Sequence, residues 1–273
     1  MKKRLALLLA VAMLATLTMA GCGSKEEAES AEAQNTEESF VVGFDAAFPP
    51  YGYVDDDGEY VGFDLDLAQE VCDRNGWTLV KQPIDWDAKD MEIESGNIDC
   101  IWNGFTINGR EDSYTWSDPY IDNKQVMVVR ADSGIASLED LAGKMVETQV
   151  DSSALAALEG DQKALADTFA SLTQIAEYNT AFMDLESGVC DAIAMDIGVA
   201  YYQMSSRENP DNFIVLDQEI SSEQYGVGFK LGNEELRDKV QATLDEMAAD
   251  GTVAEIAEQY ADFGVPGSLC IGK

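Results

Sequence analysis

Short apolar runs alternate with helix-like patterns along the chain from residue 40 onward. Runs that are rich in Val or Ile, or edged by turn residues, are typical of strands. We therefore predict the strands Phe40–Phe44, Trp77–Lys81, Ile98–Trp102, Val126–Arg130, Met145–Gln149, Asp191–Met195, Phe213–Leu216 and Tyr225–Lys230. Because helical segments lie between them, the pattern favours an α/β fold with mostly parallel sheets.

Cap and stop residues predict where two of the helices begin and end. Asp64 is expected to cap a helix that stops at Gly76. Thr180 is expected to cap the helix Ala181–Ser187, which stops at Gly188. Each prediction places a hydrogen-bond acceptor at the helix start and a glycine just past the helix end.

The C-terminal region predicts two further helices. Asn233 is expected to cap the first, and Gly251 follows its end. The apolar residues of this helix recur at helical spacing, at Leu236, Val240, Leu244 and Met247. Thr252 and Glu255 have the spacing of a capping box and are expected to start the last helix.

The N-terminal segment has the pattern of a secretory signal. Met1–Arg4 is basic, and the uncharged apolar run Leu5–Ala20 follows it. This run of 16 residues is shorter than the roughly 20 that a membrane-spanning helix needs. A basic start, a short apolar core and small residues at the end are typical of a signal peptide. We predict one at residues 1–21.

Met19-Ala20-Gly21-Cys22 resembles the lipobox of bacterial lipoproteins. In a lipobox the signal is cut before the Cys, and that Cys is acylated. The resemblance implies a protein held at the outer face of the cell membrane by lipid on Cys22, with no other part of the chain in the membrane. The residue three positions before the Cys is usually Leu, and here it is Met19. The alternative is a plain secretory signal with an incidental Cys, which would give a periplasmic protein.

Residues 22–39 are expected to form a flexible acidic tether. Ser24–Ser39 has the sequence SKEEAESAEAQNTEES, which is acidic and has few residues that could pack into a core. Such a segment cannot bury enough apolar surface to fold. As a flexible chain it would span roughly 20–25 Å.

The charge balance argues against some partners. The chain has 17 Lys+Arg against 52 Asp+Glu, and removal of Lys2, Lys3 and Arg4 with the signal leaves 14 − 52 = −38. Nucleic-acid binding depends on neutralising phosphates, so no nucleic-acid partner is expected. The charge also disfavours broad contact with anionic lipid, and its main consequence is solubility.

Residue types that are absent or rare exclude several chemistries. The chain has no His, which excludes Ser-His-Asp or Cys-His catalysis and His-ligated metal sites. The cysteines after Cys22 are Cys72, Cys100, Cys190 and Cys270. They form no CxxC pair, so no metal or cofactor is expected. Cys72 and Cys100 are expected to be buried free thiols, whereas Cys270 could pair with another Cys in an exported protein.

One segment carries a family signature. It is Gly62-Phe63-Asp64-Leu65-Asp66-Leu67-Ala68-Gln69-Glu70-Val71-Cys72, and it resembles the signature of the bacterial extracellular solute-binding proteins of family 3, the polar amino-acid binders. Other segments keep the family's order: Ile98-Asp99, Arg110, Trp116-Ser117-Asp118-Pro119-Tyr120, Leu141-Ala142-Gly143-Lys144, Gln149, Ser152-Ser153, Gly188-Val189-Cys190-Asp191-Ala192 and Asp196. The resemblance runs from about Phe40 to Gly264.

The resemblance implies a type II periplasmic-binding-protein fold, with two α/β lobes, two hinge crossings and a ligand cleft between the lobes. Lobe 1 is expected at residues 40–122 and 225–268, and lobe 2 at residues 123–224. The crossings are expected near Tyr120–Lys124 and Gln224–Gly226, which read as extended chain. The protein is expected to be a monomer.

The resemblance also implies how a zwitterionic amino acid would bind. Arg110 is the candidate for the ligand carboxylate, because its fork donates two parallel hydrogen bonds. The backbone N–H of Ser153, at a helix start, is expected to reach the same carboxylate. Asp196 follows a strand and is the candidate for the ammonium. Gly104 and Thr106 are expected to supply a carbonyl and a hydroxyl from lobe 1.

Three residues are expected, again by resemblance, to flank the ligand side chain: Asp45, Phe48 and Trp86. Asp45 suits a donor such as a guanidinium, an ammonium or an amide. Phe48 and Trp86 would favour a flat or cationic group by stacking or cation–π contact, with core packing as the alternative role for each ring. Trp102 and Asn103 are expected to narrow the pocket.

These expectations lead to a function. The chain would be a receptor that captures a polar, basic or amide-bearing amino acid between its lobes and delivers it to the permease of an ABC transporter. No Gly-x-x-x-x-Gly-Lys-Ser/Thr loop is present, so ATP hydrolysis would come from other chains. One alternative is a cleft enzyme of the same fold, of the cyclic-acid dehydratase type, that uses Asp or Glu. Another is an amino-acid-sensing or adhesive lipoprotein that signals to a separate partner.

Overall fold

Two mixed sheets organise the part of the chain that the structure describes. The structure is a computed structural model, and it describes residues 38–273. The predicted signal peptide, the acylation of Cys22 and nearly all of the predicted tether lie outside these residues.

Strands and helices alternate along most of the chain. The strands are β1 Ser39–Phe44, β2 Ala47–Phe48, β3 Gly52–Val54, β4 Tyr60–Val61, β5 Thr78–Pro83, β6 Cys100–Ile101, β7 Thr115–Trp116, β8 Ile121–Arg130, β9 Met145–Gln149, β10 Ser171–Ile175, β11 Ala192–Asp196, β12 Phe213–Val215, β13 Ser221–Tyr225 and β14 Gly228–Phe229. The α-helices are α1 Phe63–Asn75, α2 Lys89–Ser95, α3 Ser153–Glu159, α4 Lys163–Ala166, α5 Tyr178–Ser187, α6 Ile197–Ser205, α7 Glu234–Asp250, α8 Thr252–Glu258 and α9 Val265–Ser268. Strand β9 has its predicted bounds, and most other predicted strands are present with shifted ends.

Both large sheets mix parallel and antiparallel strands. The first sheet has the order β5-β1-β6-β14-β7, with β1 parallel to β5 and β6 and with β14 antiparallel to β6 and β7. The second has the order β10-β9-β11-β8-β12, with β9 parallel to β10 and β11. Strand β8 is antiparallel to β11, β12 and β13. The sheets are therefore less parallel than predicted, because β8 and β14 run against their neighbours.

Two paired strands carry the chain between the sheets. Strand β8 begins at Ile121, after β7 of the first sheet, and β13 ends at Tyr225, before β14 of the first sheet. Tyr225 pairs with Ile121, and Ser221 pairs with Gln125. We refer to the first sheet, the small antiparallel sheet β2-β3-β4 and the helices α1, α2, α7 and α8 as lobe 1. Strands β8–β13 with α3–α6 form lobe 2. The residue limits predicted for the two lobes stay a prediction.

Apolar side chains cover both faces of the central strand β8. Val126 and Val128 belong to one buried apolar cluster, and Met127 and Val129 belong to another. A strand that is buried on both faces reads as a continuous apolar run rather than as an alternation. This is why the strand is visible in the sequence.

Two strand predictions are incomplete. Strand β10 is not among the predicted strands, because it lies at the edge of the second sheet and its residues are partly exposed and mostly polar. The predicted strand Tyr225–Lys230 is two strands, β13 and β14. Gly226 and Val227 separate them, since the chain leaves β8 there and joins β6.

Two predicted helix starts fail near the N-terminal ends of α1 and α5. Helix α1 is capped by Gly62 rather than by Asp64. Gly62 has φ 140, and an added Cβ would lie 2.3 Å from the carbonyl oxygen of Tyr51, so the position requires glycine. Helix α5 is capped by Glu177 and begins before Thr180. The predicted glycine ends of both helices are confirmed.

Helix α7 has its predicted N-cap residue and its predicted glycine end, whereas the start predicted for α8 is different. Asn233 occupies the N-cap position of α7, but its side chain makes no capping bond. Helix α8 already begins at Thr252, after Gly251, so the predicted capping box is wrong. Instead, the hydroxyl of Thr252 donates to Asp250 Oδ1 at 2.6 Å.

The cysteines of the described region are free thiols. Cys72, Cys100 and Cys190 are buried, and Cys270 is half-buried. The pairing that the sequence left open for Cys270 is therefore not formed within residues 38–273. In the same range no helix combines the length and the apolar character needed to cross a membrane.

Candidate functional site

A cavity lies between the two lobes. Its lining comes from both of them: Phe48, Trp86, Asn103, Gly104, Thr106, Arg110, Gln149, Ser152, Ser153 and Asp196. Seven of the eight residues predicted to bind a ligand are in this set, and Asp45 is the exception. The fold thus brings together charged and polar residues that are far apart in sequence.

Arg110 reaches lobe 2 from a loop of lobe 1. Its Nη1 donates to the carbonyl of Thr106 at 3.3 Å, and its Nη2 donates to the carbonyl of Asp151 in lobe 2 at 3.2 Å. Trp116 Nε1 donates to the Arg110 carbonyl at 3.0 Å, and the guanidinium lies 5.3 Å from the ring centroid of Phe105. Both acceptors of the guanidinium are neutral, which leaves its charge available for an anion.

Asp196 ends β11 and is buried at the same cavity. Its Oδ1 accepts from Asn123 Nδ2 at 2.8 Å, from Gln125 Nε2 at 2.6 Å and from the Tyr225 hydroxyl at 2.5 Å. It occupies the N-cap position of α6 without a side-chain capping bond. Burial, and then the nearby charge of Glu223, raises the pKa of Asp196 to about 7. A cation beside Asp196 would favour its ionised form, so this part of the cavity suits an ammonium group.

Small polar groups occupy the wall between these two charges. Thr106 Oγ1 of lobe 1 lies 3.3 Å from Ser153 Oγ of lobe 2. Ser153 is the first residue of α3, and Ser152 caps this helix by accepting from the N–H of Leu155 at 3.1 Å. Gly104 has φ 57, and an added Cβ would lie 3.0 Å from an aromatic side chain. The left-handed backbone and the close approach of the aromatic rings therefore favour glycine at this point of the wall.

Two aromatic residues line the cavity. Trp86 also packs edge-on against Phe105, with 5.4 Å between ring centroids, and Lys89 Nζ lies 5.0 Å from the Trp86 ring centroid. The ring centroid of Phe48 lies 6.2 Å from that of Tyr178 in lobe 2. Both rings line the cavity and pack against apolar neighbours, and their stacking on a ligand side chain stays a prediction.

Asp45 is held in the wall beside the cavity. It is 7% exposed; its Oδ1 accepts from the N–H of Ala47 at 2.8 Å, and its Oδ2 accepts from Gln149 Nε2 of lobe 2 at 2.7 Å. Gln149 Nε2 also donates to the carbonyl of Ala176 at 3.0 Å. Burial raises the pKa of Asp45, and these two hydrogen bonds to its oxygens oppose the rise. Asp45 thus contacts lobe 2 through Gln149, and its role as a ligand residue stays a prediction.

An ion pair crosses the cleft beside Arg110. Lys89 of α2 is 2% exposed, and its Nζ pairs with the carboxylate of Asp151 in lobe 2. Asp151 has φ 54, a left-handed conformation that is uncommon for residues other than glycine. The Asp151 side chain is 51% exposed, so only the Lys89 end of the pair is buried, and loss of Asp151 would leave a buried ammonium without its partner. The pair links the two lobes beside Arg110.

Sequence reasoning missed the polar residues behind the cavity. Asn123 and Gln125 on β8 and Glu223 on β13 are buried. In the first half of β8 the buried positions alternate with exposed ones. Polar residues at the inward positions of a strand whose other half is apolar are the signal that could have indicated a buried polar site.

Asp64 supports the cavity wall from within lobe 1. Its side chain is fully buried, and its Oδ2 accepts from the N–H of Gly104 at 2.5 Å and from the Tyr120 hydroxyl at 2.8 Å. Burial raises the pKa of Asp64 to about 7, against the opposing effect of these two hydrogen bonds. One carboxyl group therefore joins α1, the Gly104 loop and the start of the strand that leaves lobe 1.

Asp64→Asn is expected to flatten the pH dependence of stability. With its pKa raised from 3.8 to about 7, Asp64 binds more protons in the folded than in the unfolded chain, so its contribution to stability falls as the pH rises through this window. At about 1.36 kcal/mol per pH unit, keeping the carboxylate ionised costs about 4 kcal/mol above pH 7. Thermal unfolding at pH 4 and at pH 8 measures the difference.

The neutral variant should therefore gain stability relative to the wild type between pH 4 and pH 8. Asp73→Asn, on the exposed side of the same helix, is the control and should follow the wild-type pH profile. An Asp64→Asn protein that loses as much stability over this range as the wild type would contradict the prediction.

The profile of one protein family matches most of the chain. Residues 40–264 match the bacterial extracellular solute-binding proteins, family 3. The chain belongs to this family. The match covers both sheets and all the residues that line the cavity.

Two amino-acid-binding proteins of other bacteria resemble the chain over almost their full length. The L-cystine-binding protein TcyJ of Escherichia coli is 27% identical over 253 residues, which cover 91% of this chain and 92% of that protein. The arginine-binding extracellular protein ArtP of Bacillus subtilis is 26% identical over 256 residues, which cover 93% of this chain and 96% of that protein. These shares show that the likeness is not confined to one lobe.

A solved structure shows the same architecture. It is the substrate-binding protein of an ABC uptake transporter from Streptococcus pneumoniae with bound histidine. The TM-score is 0.79 at 32% identity, and the likeness covers 81% of this chain and 92% of that chain. The fold is thus the two-lobed type II periplasmic-binding-protein fold, as the sequence predicts.

Proposed function

We propose that this protein binds a free amino acid between its lobes and delivers it to the permease of an ABC transporter. The observation that carries the proposal is that Arg110 of lobe 1 and Asp196 of lobe 2 line one cavity. A free amino acid carries a carboxylate and an ammonium and needs an opposite charge for each. Membership of family 3 and the named relatives support the same function.

In the proposed binding mode the ligand bridges the lobes. Arg110 and the first N–H groups of α3, at Ser153, bind the ligand carboxylate. Asp196, the hydroxyl of Thr106 and the carbonyl of Gly104 accept from the ligand ammonium. Because the two ends of the ligand contact different lobes, binding favours the closed arrangement. The permease would recognise that arrangement.

A polar amino acid, basic or amide-bearing, is the proposed ligand class. The cavity offers the side-chain amides of Asn103 and Gln149 and the rings of Phe48 and Trp86. Amides accept and donate hydrogen bonds, and aromatic faces attract cations. The relatives named above take cystine, arginine or histidine by their descriptions, so a class rather than one amino acid is proposed.

We propose further that the protein acts outside the cytoplasm as a monomer without a cofactor, anchored by lipid on Cys22. The lipobox-like sequence and the description of family 3 as extracellular support the location. A binding role rather than catalysis is supported by the names of the relatives and by the absence of His from the sequence. Within residues 38–273 the acidic and cysteine side chains form no group of three that could hold a metal ion.

A thermal-shift screen tests the proposed function. The purified protein is heated with each of the twenty amino acids, ornithine and cystine in turn. A ligand present at 100 times its dissociation constant should stabilise the folded state by about 2.7 kcal/mol. A protein whose unfolding temperature responds to none of these compounds would not be an amino-acid receptor.

A further inference from the structure

A second buried carboxylate, Glu223, lies behind the cavity. Glu223 is on β13, is 6% exposed and pairs in register with Asn123 of β8. Its Oε1 accepts from Thr106 Oγ1, Asn123 Nδ2 and Gln125 Nε2, each at 2.8 Å, and from Ser153 Oγ at 3.2 Å. One oxygen atom therefore collects donors from lobe 1, from the crossing strand β8 and from lobe 2.

Glu223 determines which way the hydroxyl of Thr106 points. A hydroxyl has one hydrogen to donate and two lone pairs that accept. Thr106 Oγ1 lies 2.8 Å from Glu223 Oε1 and 3.3 Å from Ser153 Oγ, so its hydrogen goes to the nearer carboxylate oxygen. Thr106 then presents lone pairs to the cavity. Such a group accepts from an ammonium and repels a carboxylate.

The hydrogen of the Ser153 hydroxyl is also directed towards Glu223. Ser153 Oγ is within donating distance of Glu223 Oε1 at 3.2 Å, and its other close polar neighbour in lobe 2, Gln125 Nε2 at 2.9 Å, is a donor that cannot accept its hydrogen. Because the hydroxyls of Thr106 and Ser153 both donate to Glu223, neither can donate to a ligand carboxylate. Those hydrogen bonds must come from Arg110 and the backbone.

Glu223 also shares its donors with Asp196. Asn123 Nδ2 and Gln125 Nε2 donate to Asp196 Oδ1 at 2.8 and 2.6 Å, and the same two nitrogens donate to Glu223 Oε1. Two carboxylates are thus held next to each other in a buried site, where like charges repel strongly. The other titratable or charged groups around them are Tyr51, Tyr178, Tyr225 and Arg110.

We propose that Glu223 is a positioning residue that makes this part of the cavity accept hydrogen bonds, and so selects a protonated α-amino group. It acts through Thr106, Ser153 and Asp196 and not by contact with the ligand. A positive ligand group there offsets the repulsion between the two carboxylates, whereas a neutral group does not. The inference rests on the proposed function and adds a residue outside the cavity lining to the ammonium site.

Glu223→Gln tests the inference, because it keeps the size of the side chain and removes its charge. The affinity for the amino acid that shifts the wild-type transition most, chosen from L-arginine, L-histidine, L-glutamine and L-cystine, should fall about 10- to 100-fold. Titration calorimetry from pH 5 to pH 9 also measures the acid limit, which is the pH below which binding is lost. This limit should lie at a lower pH in the Glu223→Gln protein than in the wild type. The direction follows because losing a neighbouring negative charge lowers the pKa of Asp196, which must be ionised to bind an ammonium.

Two further variants separate charge from structure. Glu223→Asp keeps the charge and shortens the side chain, so affinity should fall while the acid limit stays at the wild-type pH. Ser222→Ala changes the neighbouring, exposed position on β13 and should bind like the wild type. If Glu223→Gln retains both the affinity and the acid limit of the wild type, or if Glu223→Asp moves the limit equally, the inference is overturned and the proposed function stands. If the wild-type protein binds an amino acid of the thermal-shift screen other than these four, that amino acid is the probe. If it binds none of the compounds of that screen, both the inference and the proposed function fail.

Discussion

Arg110→Ala is expected to abolish the binding of every amino-acid ligand. The proposed partner of Arg110 is the carboxylate that all amino acids share, so no ligand side chain can compensate for the loss. Removing one member of a buried, hydrogen-bonded charge pair costs about 2–5 kcal/mol, which corresponds to roughly 30- to 5,000-fold weaker binding. Titration calorimetry with the amino acids that stabilise the wild-type protein measures the effect.

Two other arginine variants make the result specific. Arg110→Lys keeps the charge but loses the planar fork, so an intermediate loss is expected. Arg237→Ala removes an arginine that donates to the carbonyl of Trp116 at 2.7 Å and pairs with Asp238, outside the cavity lining, and it should leave affinity unchanged. Wild-type affinity in the Arg110→Ala protein would refute the binding mode.

How much of the fold the sequence predicts depends on where each element is buried. Strand β8 is visible because its apolar run is buried inside the second sheet. The edge strand β10 carries the weak pattern SLTQI and is not recognised. The cap assigned to Asp64 fails because its carboxylate binds Gly104, which is 40 residues away in sequence. No local pattern contains that partner.

The sequence likewise locates some residues of the candidate site and misses others. Family resemblance locates Arg110 and Asp196, and the fold brings both to one cavity. It also locates Asp45, but the carboxylate of Asp45 accepts a hydrogen bond from Gln149 of the other lobe. Glu223 is missed because its hydrogen-bond partners come from three separate segments of the chain. Its buried position depends on the pairing of β13 with β8, which a local reading of the sequence does not supply.

Gly198→Ala is expected to weaken ligand binding by obstructing the closure of the lobes. Gly198 lies in α6 of lobe 2, and a Cβ added there would lie 2.6 Å from Tyr51 Oη and 3.3 Å from Tyr51 Cζ of lobe 1. Tyr51 is 2% exposed and packs against Tyr225 and Phe48, with ring centroids 5.3 and 5.9 Å away, so it has little room to move aside. Overpacking of this kind costs about 1–3 kcal/mol, or roughly 5- to 150-fold in affinity.

The same substitution should not damage lobe 2, because alanine has a higher helix propensity than glycine. We therefore expect lower affinity without a loss of stability in the ligand-free protein, a combination that general unfolding would not give. Tyr51→Phe removes the clashing Oη and should restore much of the affinity in the double variant. Gly267→Ala, where an added Cβ would meet nothing within 4 Å, is the matched control. Calorimetry gives the affinities, and small-angle scattering with and without ligand follows closure. Wild-type affinity in Gly198→Ala, or no rescue by Tyr51→Phe, would show that this contact does not limit closure.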